Sequence, residues 1–539
     1  MKKPTTDLPG PADLVVCADT VHTMDDAEPG ATAVALKGER VLAVGTRADL
    51  GSWAGPATRV IDLGAATVVP GLTDCHVHPL LGAQLTRGVG LLGLDLDGVR
   101  SALARHAAAQ PPDGWVMGWG LDPNVVPGGL LTAAHVEDVL GGRPALVRLF
   151  DAHSALASAE ALRRAGITGP HAFEEAAEVV CDGEGRPTGL LLEMPAMALV
   201  DDVLPTTSLR DLADATLAAL QRMASLGITS AHALEHESRA GAVYELIEAE
   251  GDLPVRLRCF PWCGPDTTEA DWKEVARLQG SGGRRWSVGG VKLFIDGTVD
   301  NGTAWLAEPD TLGQSTKPFW PDPAAYAEAI AWFDVHDVPT TTHAIGDQGV
   351  RHVLDALERT SGRTRHRVEH IETIPDDLVE RFAALGVTAS MQPTHGTEYT
   401  AADGSDNWST RLGPARAAQG WRTRDLREAG VRVALGSDWP IADCDPRGVL
   451  AAARLQRRGG SPERPPVRPA QALTAAMALE GYTTHAAWSV GEEAVAGRLA
   501  PGMRADLTVL GADPLTADAD DLAEAPVLLT VVAGDVTWG

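Results

Sequence analysis

Between residue 70 and about residue 495, eight short apolar runs alternate with alanine-rich stretches of helical character. The runs are 72–78, 227–233, 255–260, 289–296, 338–343, 366–370, 386–392 and 431–438, with helical connections such as 208–225 and 349–360. Strands alternating with helices predict βαβ units and an α/β fold with a parallel sheet. Eight units are the number that closes a (β/α)8 TIM barrel, whose active site lies at the C-terminal ends of the strands. Residues 79–226 exceed one crossover and predict an insertion over the barrel mouth, with a strand-like run of its own from Ala145 to Asp151.

The flanks read differently. Ala12 to Val16, Ala33 to Lys37, Arg40 to Val44 and Arg59 to Asp62 are short β-like runs broken by Gly, Pro and Asp. Ala505 to Leu510 and Val527 to Val532 repeat the pattern at the far end. A small β-sandwich-like domain built from both termini, 1–69 and 495–539, flanking a 70–494 barrel domain, is the expected organisation.

Composition excludes some partners. A formal net charge of −28 repels nucleic acid and anionic membranes. No stretch approaches the ~20 apolar residues of a membrane span. The N-terminal segment carries Lys2 and Lys3 but no apolar core of a secretory signal. Six scattered cysteines without a CxxC pair fit reduced thiols in a cytoplasmic protein.

The chemistry sits at the ends of the runs. His76 and His78, two apart on one strand, face the same side and can converge on a divalent metal. The later runs end in His343, His370 and Asp438. Lys292, Phe294 and Asp296 share the interior face of their strand, while Val291, Leu293 and Ile295 face outward. Imidazoles and a carboxylate suit zinc or iron, with a position left for water. Taken singly, each residue has an ordinary structural explanation, and Asp296 is the carboxylate that a buried Lys292 would pair with. Together at strand ends they predict a metal site, with Asp438 the proton acceptor for water. Lys292 assists as a neutral amine or, carboxylated, bridges two metals.

PGLTDCHVH, VKLFIDGT, HAIGDQG, RVEH and GSDWP resemble the amidohydrolase superfamily, in detail its YtcJ-like branch, which includes formamide deformylases. The resemblance extends through GWGLDPN, FDAHSALASAEAL, GRPTGLLLE and GRLAPGMRADLTVL, nearly the whole chain. It implies hydrolysis of a carbon–nitrogen bond in a small-molecule amide. It also implies one or two divalent ions, zinc first and manganese or iron next, at His76, His78, His343, His370 and Asp438, with Lys292 as a bridge. A deaminase or cyclic-amide hydrolase is the alternative on the same scaffold, and a non-enzymatic binding barrel a distant third. A homo-oligomer is compatible with all of these.

Other residues are pocket candidates. His153, Trp119, Asp122 and Glu193 of the insertion are expected to meet substrate, with Asn124 beside them. Asp74 shares a face with His76 and is expected to orient a ligand, whereas Glu369 is assigned a structural role and Asp347 a helix cap. His232 ends its strand and His395 follows its own, and both are further candidates for the pocket.

Overall fold

A computed structural model describes residues 10–25, 30–126, 131–174, 177–236 and 238–539, so Lys2 and Lys3 lie outside the described residues. The alternating middle of the chain forms eight strands: β1 (Leu72–Val77), β2 (Ile228–Ala233), β3 (Arg256–Cys259), β4 (Val291–Phe294), β5 (Thr340–Ala344), β6 (Arg367–His370), β7 (Thr388–Met391) and β8 (Val433–Leu435). Each falls within or beside an expected run. Neighbours pair in parallel, β1 with β2 with β3, and β4 through β8 in order. The strand Trp286–Val288 adds to the edge of the first arc beside β3.

Single parallel bridges join the two arcs at both seams: Val77 to Trp439, beyond β8, and Trp262, beyond β3, to Lys292 of β4. At the first seam the backbone closes tightly. Asp438 N donates to His76 O at 2.7 Å, and His78 N to Trp439 O at 2.8 Å. A Cβ on Gly436 would sit 2.6 Å from His76 N, so only glycine admits this approach.

The period-2 reading of β4 holds. Val291, Leu293 and Ile295 lie in the largest apolar cluster with Val350, Leu354 and Phe382 of the outer helices, while Lys292 and Phe294 face a central cavity. The helix Leu209–Ser225 begins at Ser208, whose side chain caps Asp211 N. Its Leu212, Leu220 and Met223 pack with Ile228 and Ala231 of β2, so the end of the expected insertion belongs to the main body.

The insertion carries a six-stranded sheet of Val89–Gly90, Val116–Leu121, Ala145–Leu149, Ser154–Ala157, Glu178–Cys181 and Pro187–Leu192. Most of these strands escaped the sequence reading because they are short and Gly- or Pro-flanked. The termini form two further sheets. One holds Leu14–Cys17, Ala33–Lys37, Arg40–Gly45 and Arg59–Asp62; the other joins Thr20–Val21 and Thr67–Pro70 to Leu507–Leu510, Val527–Val532 and Asp535–Trp538. Val16, Val34, Val68, Leu507 and Val531 share one apolar cluster, so both chain ends contribute to it. No helix among the described residues is long and apolar enough to cross a membrane.

Candidate metal centre

The strand ends surround a cleft enclosing about 880 Å³ of non-protein space, part of it open to solvent. His76, His78, Lys292, His343, His370 and Asp438 all line it. At its floor is Asp438, 6 % exposed. Its Oδ1 lies 3.4 Å from His76 Nε2 and 3.2 Å from His78 Nε2. Its Oδ2 lies 4.0 Å from His370 Nδ1 and 3.7 Å from His395 Nε2. His395 comes from the helix Pro393–Glu398 that begins directly after β7.

Two of these positions depend on backbone strain. His370 and Asp438 have φ of +71° and +59°, a region that L side chains enter at a cost. On β6, Arg367 and Glu369 face the interior by ordinary alternation; the left-handed turn at His370 brings that side chain inside as well.

This overturns the structural assignment of Glu369. Its carboxylate takes His76 Nδ1 at 2.7 Å, and is itself held by Arg367 Nε at 2.7 Å and by the Thr341 hydroxyl. With Nδ1 bonded to Glu369, Nε2 of His76 carries the lone pair that faces Asp438. Asp74 acts on backbone instead, accepting His76 N at 3.1 Å and Ser437 N at 3.0 Å. It ties β1 to the turn after β8, and burial raises its carboxyl to about 7.

His343 is the exception in the expected ligand set. Its Nε2 donates to Gly297 O at 3.1 Å, which leaves Nδ1 as the nitrogen with a lone pair. Its ring stands 4.5 Å from that of His370. Asp296 does not pair with Lys292. It accepts Ile345 N, Gly346 N and Trp305 N at 2.8–3.0 Å, so it holds the loop that leads into the helix Asp347–Leu357. Asp347 is the first residue of that helix rather than its cap, and it holds Ala307 N at 3.0 Å. The Lys292 ammonium lies 4.9 Å from the Phe294 ring centroid, and burial lowers its pKa to about 8.

Burial pushes His76, His343 and His370 well below the ordinary value and lowers His395. Burial also opposes ionisation of Asp438, but His76, His78 and His395 outweigh it and hold the carboxyl below its usual range. His78 Nδ1, His370 Nδ1, His395 Nε2 and Asp438 Oδ1 are buried without a hydrogen-bond partner among the described residues. Each such atom costs about 1–3 kcal/mol. The donor atoms of His76, His78 and Asp438 lie within 4.8 Å of one another, as do those of His370, His395 and Asp438. Nitrogen and carboxylate donors crowded together in this way fit a divalent cation.

The insertion supplies a second cluster. His153 Nδ1 bonds Glu193 Oε2 at 2.8 Å, and the His153 ring lies 5.0 Å from that of His343. Burial lowers His153, yet Glu193 more than compensates and raises it to about 9. Glu193 stands at φ +66° and is fully buried. It therefore acts through His153 and does not itself line the cleft. Trp119 and Asp122 do not line it either: Trp119 is buried in the insertion sheet, and Asp122 caps a turn by accepting Asn124 N at 2.8 Å. Proximity in sequence to His153 suggested them; the sheet turns them away. His232 sits behind the site, where its Nδ1 takes Arg367 Nη1 at 2.8 Å. Phe150, Met194, Trp262, Tyr399 and Trp408 complete the cleft wall, a role no periodicity in the sequence marks.

The profile of the amidohydrolase family matches residues 59–538. The putative amidohydrolase YtcJ of Bacillus subtilis is 28% identical over 90% of this chain and 91% of its own. The N-substituted formamide deformylase of Arthrobacter pascens is 26% identical over 97% of both chains. In fold, the chain resembles an uncharacterized metal-dependent hydrolase from Pyrococcus horikoshii, with a TM-score of 0.73 at 21% identity, covering 94% of this chain and 99% of that one.

Proposed function

Given that the chain belongs to the amidohydrolase family, we propose that it hydrolyses a non-peptide carbon–nitrogen bond of a small amide with the help of a divalent metal held at the strand ends. The observation that carries this reading is the buried Asp438 carboxylate, faced by buried histidine nitrogens from several strand ends. His76, His78 and Asp438 hold the ion, and His370 and the Nδ1 lone pair of His343 stand beside them. The donor set suits zinc. When bound, such an ion polarises a carbonyl and makes water easier to deprotonate.

The chain's own groups move the proton. Asp438 accepts it from the attacking water and returns it to the departing nitrogen. A carbon–oxygen bond forms, the carbon–nitrogen bond breaks, and the amide leaves as acid and amine. Lys292, at about 8, is in part an uncharged amine near neutral pH. His153, held by Glu193, presents its other nitrogen to the cleft as a hydrogen-bond donor to substrate. Phe150, Tyr399 and Trp408 suit an apolar or aromatic substituent on nitrogen. The formamide deformylase among the relatives makes N-substituted formamides the first substrates to try.

The two parallel arcs are read as one closed (β/α)8 barrel, with 1–69 and 495–539 forming a separate small β domain. The six free cysteines fit a reducing cytoplasmic setting. A hydrolysis screen over N-formyl, N-acyl and cyclic amides, with Zn, Mn and Fe supplied separately, tests the reading. Amine release from an N-substituted amide is expected. Asp438→Asn with its metal retained should lose at least ~100-fold in kcat. Full activity in that variant removes Asp438 from its role, and ammonia release from an amino-heterocycle would replace amide hydrolysis by deamination.

A further inference from the structure

Resting on the reading of the cleft as an amide-hydrolysing site, we propose that its substrate carries an ammonium group, received by the carboxylates of Asp300 and Glu372 and the tryptophan pair Trp408 and Trp421. All four side chains line the cleft that holds Asp438.

The two carboxylates are underused. Glu372, two residues beyond β6, is 8 % exposed. Its Oε2 accepts Trp408 Nε1 at 2.7 Å, and its Oε1 has no hydrogen-bond partner among the described residues. Asp300, in the loop beyond β4, accepts Asn407 Nδ2 on Oδ1 at 2.9 Å, and its Oδ2 is likewise unpartnered. Neither has an ion-pair partner among the described residues. The basic groups of the cleft are engaged elsewhere, His153 with Glu193 and Lys292 over the Phe294 ring. Asp151 differs from both acids, since it accepts Asn301 Nδ2, Thr298 Oγ1 and His153 N. A carboxylate out of water and without a cation is costly, and a positive group on the substrate relieves that cost. In keeping with this, burial and the nearby Asp151 push the Asp300 carboxyl up to about 7.

The aromatic wall is an independent second half of the seat. The Trp408 and Trp421 rings lie 4.5 Å apart at 37°. Indole faces attract cations, most strongly where water is excluded. The chain already lays one cation against this pair. The Arg468 guanidinium stands 4.9 Å from the Trp408 ring centroid and 4.6 Å from that of Trp421. Arg468 does not line the cleft, and its Nη1 donates to Thr400 Oγ1 at 3.2 Å rather than to either acid. At longer range, the net charge of −28 draws cations towards the molecule.

Choline and tert-butylethanol differ only in a charged nitrogen against a carbon, so they test the seat without catalysis. Their binding to the full chain, read by tryptophan fluorescence, is expected to favour choline at least ~10-fold in Kd. In Glu372→Gln and in Asp300→Asn the ratio should fall to about 3 or less. Equal binding by wild type, or an undiminished ratio in the folded variants, overturns the seat; should one variant fail to fold, the other decides. The matched pair N-(trimethylammonioethyl)formamide and N-(tert-butylethyl)formamide then joins the seat to the reaction. Wild type is expected to favour the cationic amide at least ~10-fold in kcat/KM. Hydrolysis of both at equal kcat/KM overturns the seat alone. Choline favoured while neither amide is hydrolysed overturns the amide reading and not the seat.

Discussion

His76 shows what one residue would need in order to serve the proposed metal. Its strand position aims the ring inward, but the choice of nitrogen is made by Glu369, 2.7 Å away on β6. Removing that charge leaves the ring free to swing and lowers its basicity. Outer partners of this kind are worth about 10–100-fold in metal affinity. Glu369→Gln is therefore expected to release its metal to a competing chelator at about 10–100-fold lower chelator strength than wild type, with the far-UV circular dichroism unchanged. His76 and His78 were legible in the sequence because strand geometry alone puts i and i+2 on one side. Glu369 was not, because its partner lies 293 positions away in the chain.

At the scale of elements, β6 is the strand that ties the interior together. Arg367 is 2 % exposed and reaches Glu369, Thr341 of β5, His232 of β2 and Cys75 O of β1. Its guanidinium neutralises a carboxylate that has no access to water. Replacing it by methionine fills the space but strands Glu369 as an unpaired buried charge. Breaking a buried pair in this way costs about 3–5 kcal/mol. Arg367→Met should show that loss in urea unfolding, and the double variant Arg367→Met with Glu369→Gln should recover part of it. The same strand shows where periodicity fails. On β4 the alternation is uninterrupted, and Lys292 and Phe294 face the cleft as expected. On β6 the left-handed turn at His370 adds a third inward residue, and no residue type announces a positive φ at histidine.

At the scale of the whole molecule, the proposed metal and the fold would support one another. The proposed ligands come from β1, β6 and the turn after β8, so an ion bound only to the folded chain would close the seam between the arcs. Stripping the metal should lower the thermal midpoint, and zinc at a free concentration of about 1,000 times its Kd should restore about 4 kcal/mol. Acid acts through a different group. His485, remote from the cleft, is lowered to about 4 by burial and by Arg427, whose Nη1 lies 2.7 Å from its ring. The unfolded chain binds its proton near pH 6.5 and the folded one only near 4, so this histidine's contribution is intact above about pH 6.5 and is lost as pH falls towards 4. His485→Gln should flatten the fall of unfolding free energy across that window by up to a few kcal/mol, measured by denaturant titration at each pH.

The order of strands and helices, the inward face of β4 and the chemistry at the strand ends follow from local rules of period and residue type, which a sequence carries in full. The eight strands and the histidine pair of β1 were readable for that reason. Tertiary structure decided which nitrogen of each imidazole is free, that Glu369 orients His76, and that Trp119 and Asp122 stay out of the cleft. It also decided that His395 stands opposite Asp438. Those are meetings between residues far apart in the chain, set by strand stagger, two left-handed backbone turns and close packing at a seam, and no local pattern records them.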